Sequence, residues 1–496
     1  MYLAKLIHQS EKLTVYKTAF SRNLRDIALP LSNDEPFVLL DSAGEISPIN
    51  RWSFLAVHPE SIFEYKNNQL IRHSKFDIRN SREDPFSLLR DFFNDEKSTG
   101  WQSLNFSPYV GGPIGFISYD AARYIERLPS LALDDLKLPD FYFIKPKVVL
   151  AHNLLTDELF IYLFQFTRLP LAIEEITECL NLGVLSPAGF PPVHPTIGTV
   201  RAAREPSFRR HPSVLETNMS KEQFEEAVLK IKEYIYAGDV YQVNLSQRFE
   251  KDFKGSSFAL YEHLVQLNPG PFCAYLKGGG FNLLCSSPER LASLNGKVAQ
   301  SRPIAGTRRR GQNNTEDNFL SGHLLVDDKE GAEHIMLVDL ERNDLGKVCD
   351  YNSVCVDELM RIERYSHVIH IVSNVKGALH KKRDAFDFIK AMFPGGTITG
   401  CPKVRCMEII EELEPTKRAA YTGSLGYFSY NGNIDFNILI RTIVETNRRV
   451  FIQAGAGIVA DSKPEREYYE TISKAAALFK SLGHTFKEKK WEKIST

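Results

Sequence analysis

Paired cysteines, a surplus of either charge and long apolar runs are all missing from this sequence. The 61 Lys and Arg stand against 62 Asp and Glu, leaving a formal net charge of −1. Without a basic stripe there is no footprint for nucleic acid or an anionic membrane, so a small molecule or a protein is the expected partner. No apolar run approaches the roughly 20 residues that cross a bilayer. The opening MYLAKLIHQSEKLTVY lacks the apolar core and cleavage site of a signal peptide. The seven cysteines form no CxxC pair, which suits free thiols in a reducing compartment, so a cytoplasmic location is expected. No repeat at solenoid periods is present.

What remains is a globular composition, 43% hydrophobic and 25% charged, over 496 residues, a length for two or three cores. The Pro-rich, basic stretch 186–218 has no sustained apolar period and reads as a linker. It separates an N-terminal domain, 1–185, with strand-like runs such as PFVLLDSAG, FYFIKPKVVLAHN and ELFIYLFQF, from a second domain, 219–482, of alternating helices and strands. A basic tail, 483–496, follows. Ser220 and Gln223 fit a capping box, Phe224, Ala227, Val228, Ile231 and Ile235 supply a helical stripe, and Gly238 ends it. In DVYQVNLSQRF, Tyr241, Val243 and Leu245 alternate with Gln242, Asn244 and Ser246. The amide face is either a ligand-cavity wall or ordinary solvent-facing surface.

Two segments place carboxylates at helical spacing. In EGAEHIMLVDLERNDLGKV, Glu333 shares a face with Met336, Leu337 and Leu340. In DSKPEREYYETISKAAALF, Asp461 or Ser462 can cap, Pro464 suits the first turn, and Glu467, Glu470 and Lys474 share a face. A solvated Glu–Lys pair explains the latter, worth about 0.3–0.5 kcal/mol. Alternatively, Glu333 and Glu470 converge on Mg2+, which takes one or two carboxylates and fills its octahedron with water and substrate oxygens. FPGGTITGCPK lacks the Gly-Lys-Ser/Thr of a Walker loop, and IQAGAGIVAD lacks the third glycine of a dinucleotide turn; its Gly455 and Gly457 are expected in turns after a strand. Lys403, Arg405, Arg441 and Lys474 supply cations. Arg441 ends the apolar strand FNILIRTIV, a place for an ion pair or for a carboxylate ligand. Glu289, in LLCSSPERLASL, follows a strand broken by Pro288. It is either an exposed turn residue or a shielded acid with a raised pKa.

Together AGDVYQVNLSQRF, SSPERL, RPIAGTRRRG, AEHIMLVDLERNDLG, YSHVIHIVSNV, GGTITGCPKVR, NILIRT and QAGAGIVADSKPEREYYET resemble, in order, the chorismate-utilising enzymes. LLDSAG, RWSFLAVHP and GGPIGFISYD resemble the companion N-terminal domain of the amine-transferring members, anthranilate synthase component I and aminodeoxychorismate synthase component I. The resemblance implies an α+β, two-lobed fold of packed antiparallel β-sheets flanked by helices. It further implies Mg2+ on Glu333 and Glu470, Glu289 as the acid that protonates the departing C4 hydroxyl, and His370 and Thr397 close to the ring. Gly306, Thr307, Tyr421, Arg441, Gly455, Ala456, Gly457 and Lys474 would hold chorismate. Where isochorismate and salicylate synthases carry a lysine to activate water, this chain has Gln242, which favours ammonia as nucleophile. The ammonia would come from a separate glutamine amidotransferase subunit.

Within that branch, LLDSA, ERLP, YQVNLSQRF, SSPER, HIVSNV and FNILIRT look more like aminodeoxychorismate synthase, and that product is the expectation. Ala305 opposes it, because a lysine stands there in aminodeoxychorismate synthases that attack C2 covalently. Anthranilate is therefore the alternative product. The family's N-terminal domain also carries a tryptophan site, which Ser42, Arg51 and Phe54 would line here. A catalytically silent tryptophan-binding regulator is the rival from another class, and it predicts damage at Glu289, Glu333 or Glu470, all of which are present.

Overall fold

The computed structural model describes residues 4–32, 34–47, 50–72, 77–80, 83–94, 101–164, 173–182, 215–311, 313–364 and 368–484. Most of the expected linker and basic tail lie outside them.

The two halves of the sequence share their sheets. One sheet runs, strand beside strand, from Lys5–Gln9 through Leu13–Ala19, Glu158–Phe164, Phe141–Asn153, Trp52–Lys66, Phe37–Asp41, Phe272–Lys277, Phe281–Ser287, Thr442–Thr446 and Arg449–Ile458 to Gln242–Asp252. The other passes from Phe141–Asn153 through Ile114–Ile117, Ser424–Phe428, Ile434–Asn437, Arg290–Asn295 and Val298–Ser301 to Val368–Ala378. That last strand is flanked by Ile304–Arg309 and Cys355–Arg364. The long strands Trp52–Lys66 and Phe141–Asn153 take part in both, and their pairing slips at Pro59 and Ser61, where the ladder bends. Every pairing named is antiparallel, so packed antiparallel sheets flanked by helices are borne out.

Strand periodicity explains how the layers form. Val149 and Ala151 join the aromatic core between the sheets, whereas Val148 and Leu150 face the other way. Ala274 and Leu276 divide from Cys273 and Tyr275 in the same manner. The outward set is covered by helices Arg25–Ser32, Ser257–Leu267 and Pro464–Ser481, through Ile27, Leu31, Phe258, Leu264, Ile472 and Leu478.

The capping box at Ser220 and Gln223 forms, and the helix Lys221–Tyr236 buries Phe224, Ala227, Val228 and Ile231. The next strand begins at Gln242, with Tyr241 outside it and exposed, while Val243 and Leu245 are fully buried. Three local expectations are corrected. Helix Pro464–Ser481 has Lys463 at its N-cap and no side-chain cap, because Ser462 Oγ instead accepts from Val459 N. FNILIRTIV is not one strand: Ile434–Asn437 and Thr442–Thr446 lie in different sheets, and the chain crosses between them at 438–441. Gly455 and Gly457 lie inside the strand Arg449–Ile458, opposite Ser246 and Asn244, rather than in a turn.

Candidate active site

The Pro288–Glu289 step is a second crossing, since Phe281–Ser287 belongs to one sheet and Arg290–Asn295 to the other. The two crossings lie side by side. Ile438 N donates to Glu289 O at 3.0 Å and Ser286 N to Arg441 O at 3.1 Å. A chain that changes sheets must leave its ladder, and so a carboxyl and a guanidinium are presented where neither belongs to a regular strand. Arg441 takes a left-handed φ of 49° there, a strain of roughly 1–3 kcal/mol for a residue with a Cβ.

Glu289 is the buried acid of the pair, 7% exposed. Burial pushes its pKa up to about 8, Glu341 adding to the rise while Thr397, Lys474 and the Ile304 backbone oppose it. Neither Glu289 Oε1 nor Thr397 Oγ1 completes a hydrogen bond among the described residues, although the hydroxyl lies close enough to favour the carboxylate. The exposed-turn alternative for Glu289 is thereby excluded. Arg441 Nη1 donates to Asn268 Oδ1 at 3.2 Å. No carboxylate forms an ion pair with Arg441 among the described residues, and burial lowers its pKa. His370, on the strand Val368–Ala378, brings Nδ1 to 3.3 Å from Gly306 O. Its pKa is pushed down to about 4, first by burial and further by Arg441, so the ring is neutral at physiological pH.

The opposite wall is the strand pair Gln242–Asp252 and Arg449–Ile458. On its polar face Gln242 and Ser246 are buried and Asn244 is half-buried. The glycines across from it make room. A Cβ on Gly457 would come within 2.4 Å of Gln242 Nε2, and one on Gly455 within 2.4 Å of Asn244 Oδ1 and 2.9 Å of Tyr421 Oη. Gln242 Nε2 donates to Glu333 Oε1 at 2.8 Å. Lys474 Nζ donates to Gly455 O at 3.2 Å and pairs with Glu470 at 2.8 Å. Glu333 and Glu470 thus both border this wall, from helices Asp328–Gly346 and Pro464–Ser481. Among the described residues no three His, Cys, Asp or Glu side chains form a ready-made metal cage. Two carboxylates are the sparse donor set that Mg2+ takes when substrate and water supply the remaining oxygens. Ala456 is fully buried in the core behind the wall. Gly306 and Thr307 lie on Ile304–Arg309, where a bulge interrupts the pairing with His370 and Ile371. Lys403 pairs with Asp344, and Arg405 with Asp239 and Glu408.

Ser42, Arg51 and Phe54 line a different space, a cavity of ≈ 210 Å³ shared with Trp52, Phe272, Arg290, Tyr427 and Asp435. Ser42 Oγ donates to Trp52 O at 2.7 Å, and the Trp52 and Phe54 rings stack with centroids 6.1 Å apart.

A model of the family described as chorismate binding enzyme matches residues 35–480. The chain belongs to this family. Aminodeoxychorismate synthase component 1 of Bacillus subtilis (strain 168) is 42% identical over 482 residues, 95% of this chain and 96% of that protein. Anthranilate synthase component 1 of Aquifex aeolicus (strain VF5) is 41% identical over 456 residues, 90% of this chain and 89% of that protein. The crystal structure of anthranilate synthase component I from Streptococcus pneumoniae TIGR4 superposes with a TM-score of 0.71 at 32% identity, covering 87% of this chain and 92% of that one. This chain is accordingly a chorismate-utilising enzyme, and the helices in the described residues include none long and apolar enough to cross a membrane.

The sequence missed the frame behind the site. Arg418 is buried and donates to Glu414 at 2.7 and 3.0 Å, to Ile398 O at 2.9 Å and to Asn244 O at 2.6 Å. Glu414 Oε1 also accepts from Ser246 N and Oγ, both at 2.8 Å. The guanidinium lies 4.9 Å from the Tyr119 ring centroid and 5.6 Å from that of Tyr421. One ion pair therefore ties the turn carrying Thr397, the strand carrying Gln242 and the residue Tyr421 together. Glu414 and Arg418 are four apart, a spacing that on its own reads as a surface helix pair.

Proposed function

We propose that this enzyme aminates chorismate at C4 with ammonia from a glutamine amidotransferase subunit, giving 4-amino-4-deoxychorismate for para-aminobenzoate and folate synthesis. The observation that carries amination is Gln242. Its amide donates to Glu333 and sits in the buried polar face of the wall. A carboxamide cannot deprotonate water at neutral pH, whereas ammonia attacks without a base. The C4 product rests on YQVNLSQRF, SSPER, HIVSNV and FNILIRT.

Glu289 is protonated at neutral pH and donates that proton to the C4 hydroxyl as it leaves as water. Thr397 orients the acid, and neutral His370 borders the ring without adding charge. Arg441, the site cation without a carboxylate partner among the described residues, takes a substrate carboxylate by paired hydrogen bonds. Gly306, Thr307, Tyr421, Gly455, Ala456, Gly457 and Lys474 shape and hold the remainder of the substrate. Glu333 and Glu470 would hold Mg2+, which supplies positive charge to the ring carboxylate when bound. Tryptophan is the proposed occupant of the cavity lined by Ser42, Arg51 and Phe54.

Ala305 favours a second reading. Its buried methyl cannot form a covalent adduct at C2, so ammonia attack at C2 followed by pyruvate loss would make this an anthranilate synthase. Incubation with chorismate, Mg2+ and ammonium, with the product identified by mass, tests both readings. Aminodeoxychorismate is expected; anthranilate fluorescence without an added lyase overturns the C4 assignment. Glutamine in place of ammonium is expected to give no product until the amidotransferase is added.

A further inference from the structure

Helix Asp328–Gly346 buries a glutamate two turns beyond the half-buried Glu333. Glu341 is 3% exposed, and its Oε2 has no hydrogen-bond partner among the described residues. It occupies the same compartment as Glu289. The Gly396–Ile398 turn faces both: the Gly396 backbone lies against Glu341 and the Thr397 side chain against Glu289. The segment 301–304 also meets both, Ser301 beside Glu341 and the Ile304 backbone beside Glu289. Two carboxyls therefore share two walls, and each has an oxygen to which the described residues offer no donor.

We infer that Glu341 is a positioning residue for the reaction's proton: Glu289 and Glu341 hold one proton between them, and the Glu341 charge keeps it on Glu289. The inference rests on the reading of Glu289 as the proton donor. Like charges in one dry compartment cannot both ionise near neutrality, and the titration belongs to the pair. The surrounding charges fix which partner ionises first. Asp344 on the same helix raises Glu341, while Lys403 from helix Lys403–Leu413 lowers it; Lys474 from helix Pro464–Ser481 acts on Glu289. Burial raises both carboxyls, and Glu341, with the Lys403 cation beside it, is the one whose charge raises Glu289 further. Lys403 is anchored for this task by Asp344 and by Pro394 O at 2.8 Å.

Removing the neighbouring negative charge makes the Glu289 carboxylate easier to form. In Glu341→Gln, Glu289 is therefore expected to titrate about one unit lower, a tenfold smaller protonated fraction on the alkaline side. The measurement is the carboxylic-acid infrared stretch of the intact enzyme against pH, assigned by its loss in Glu289→Gln and Glu341→Gln. It is paired with kcat against pH at saturating chorismate and Mg2+ and constant free ammonia. The alkaline limb of kcat is expected to move down with the infrared titration. By reciprocity, Glu341 is expected to titrate lower in Glu289→Gln, which carries the test if Glu341→Gln does not fold. An infrared titration that stays in place in both variants overturns the inference. So does a Glu341→Gln enzyme slowed equally at every pH with its limb unmoved, the mark of a merely structural residue. Reciprocal infrared shifts in a Glu289→Gln enzyme that still turns over uphold the coupling and overturn the donor reading instead.

Discussion

Arg418 and Arg441 are both withdrawn from water, and they are treated in opposite ways. Arg418 is surrounded by acceptors: a carboxylate four residues away, two backbone carbonyls and two aromatic faces. Arg441 has Asn268 and a strained backbone, with no carboxylate partner among the described residues. A buried charge that is fully paired is part of the frame; one held short of partners costs stability, and the fold keeps it where a ligand can complete it. The carboxylates divide along the same line. Glu414 is saturated by Arg418 and Ser246, whereas Glu289 and Glu341 each retain an oxygen without a donor among the described residues. Other buried atoms, such as Trp52 Nε1 and Tyr142 Oη, also lack a partner among the described residues, so it is the gathering of Glu289, Glu341 and Arg441 in one place that sets the site apart.

That contrast can be broken at either end. The largest effect is expected at Glu289: Glu289→Gln should lower kcat by about 10²–10⁴-fold with little change in chorismate binding, measured by steady-state kinetics and by chorismate titration. An unchanged kcat would remove the acid role. Next is Arg418→Met, which strands a buried Glu414 and should cost about 3–5 kcal/mol in urea unfolding. Adding Glu414→Leu should recover only part of this, since the Asn244 and Ile398 carbonyls and Ser246 N remain without those partners. Complete recovery would mean the pair contributes nothing as a frame.

Arg441→Met should leave the melting temperature unchanged or higher while raising KM for chorismate about 10–100-fold, the worth of a charge-assisted pair. A loss of stability would class Arg441 with Arg418 and dissolve the comparison. The pH dependence follows from Glu289. Its folded pKa is raised from 4.5 to about 8, so the active protonated form and the stability of the buried neutral acid persist at low pH. The protonated form is lost as pH rises through about 8, visible as an alkaline limb in kcat, while the stability contribution is full below about 4.5 and gone by about 8. The smallest expected effect is Glu470→Ala, weakening Mg2+ about tenfold, or 1.4 kcal/mol, by calorimetric titration; an unaltered isotherm would remove that ligand.

Much of the secondary structure was legible because its causes are local. The Ser220 capping box and the stripe through Phe224 and Ile231 need only neighbours along one helix, and both formed. The Glu470–Lys474 contact is likewise an i, i+4 matter. Where reading failed, a distant partner decided. Gly455 and Gly457 looked like turn residues, yet they lie in a strand paired with Ser246 and Asn244, and as glycines they leave the Gln242 and Asn244 side chains the volume a Cβ would fill. FNILIRTIV looked like one strand, and its run of apolar residues serves two sheets with Arg441 at the change. Glu341 gave only a weak signal, an acidic residue two helical turns beyond Glu333.

From its order of residues alone the chain determined which short segments become helices and strands, and the motifs that relate it to the chorismate-utilising enzymes, because spacing along a backbone sets both. Which polar groups are paired and which are left wanting was decided only by the tertiary structure. A hydrogen-bond deficit is a property of what surrounds a side chain, and the surroundings of Glu289, Glu341 and Arg441 come from segments far apart in sequence that meet where two strands change sheets.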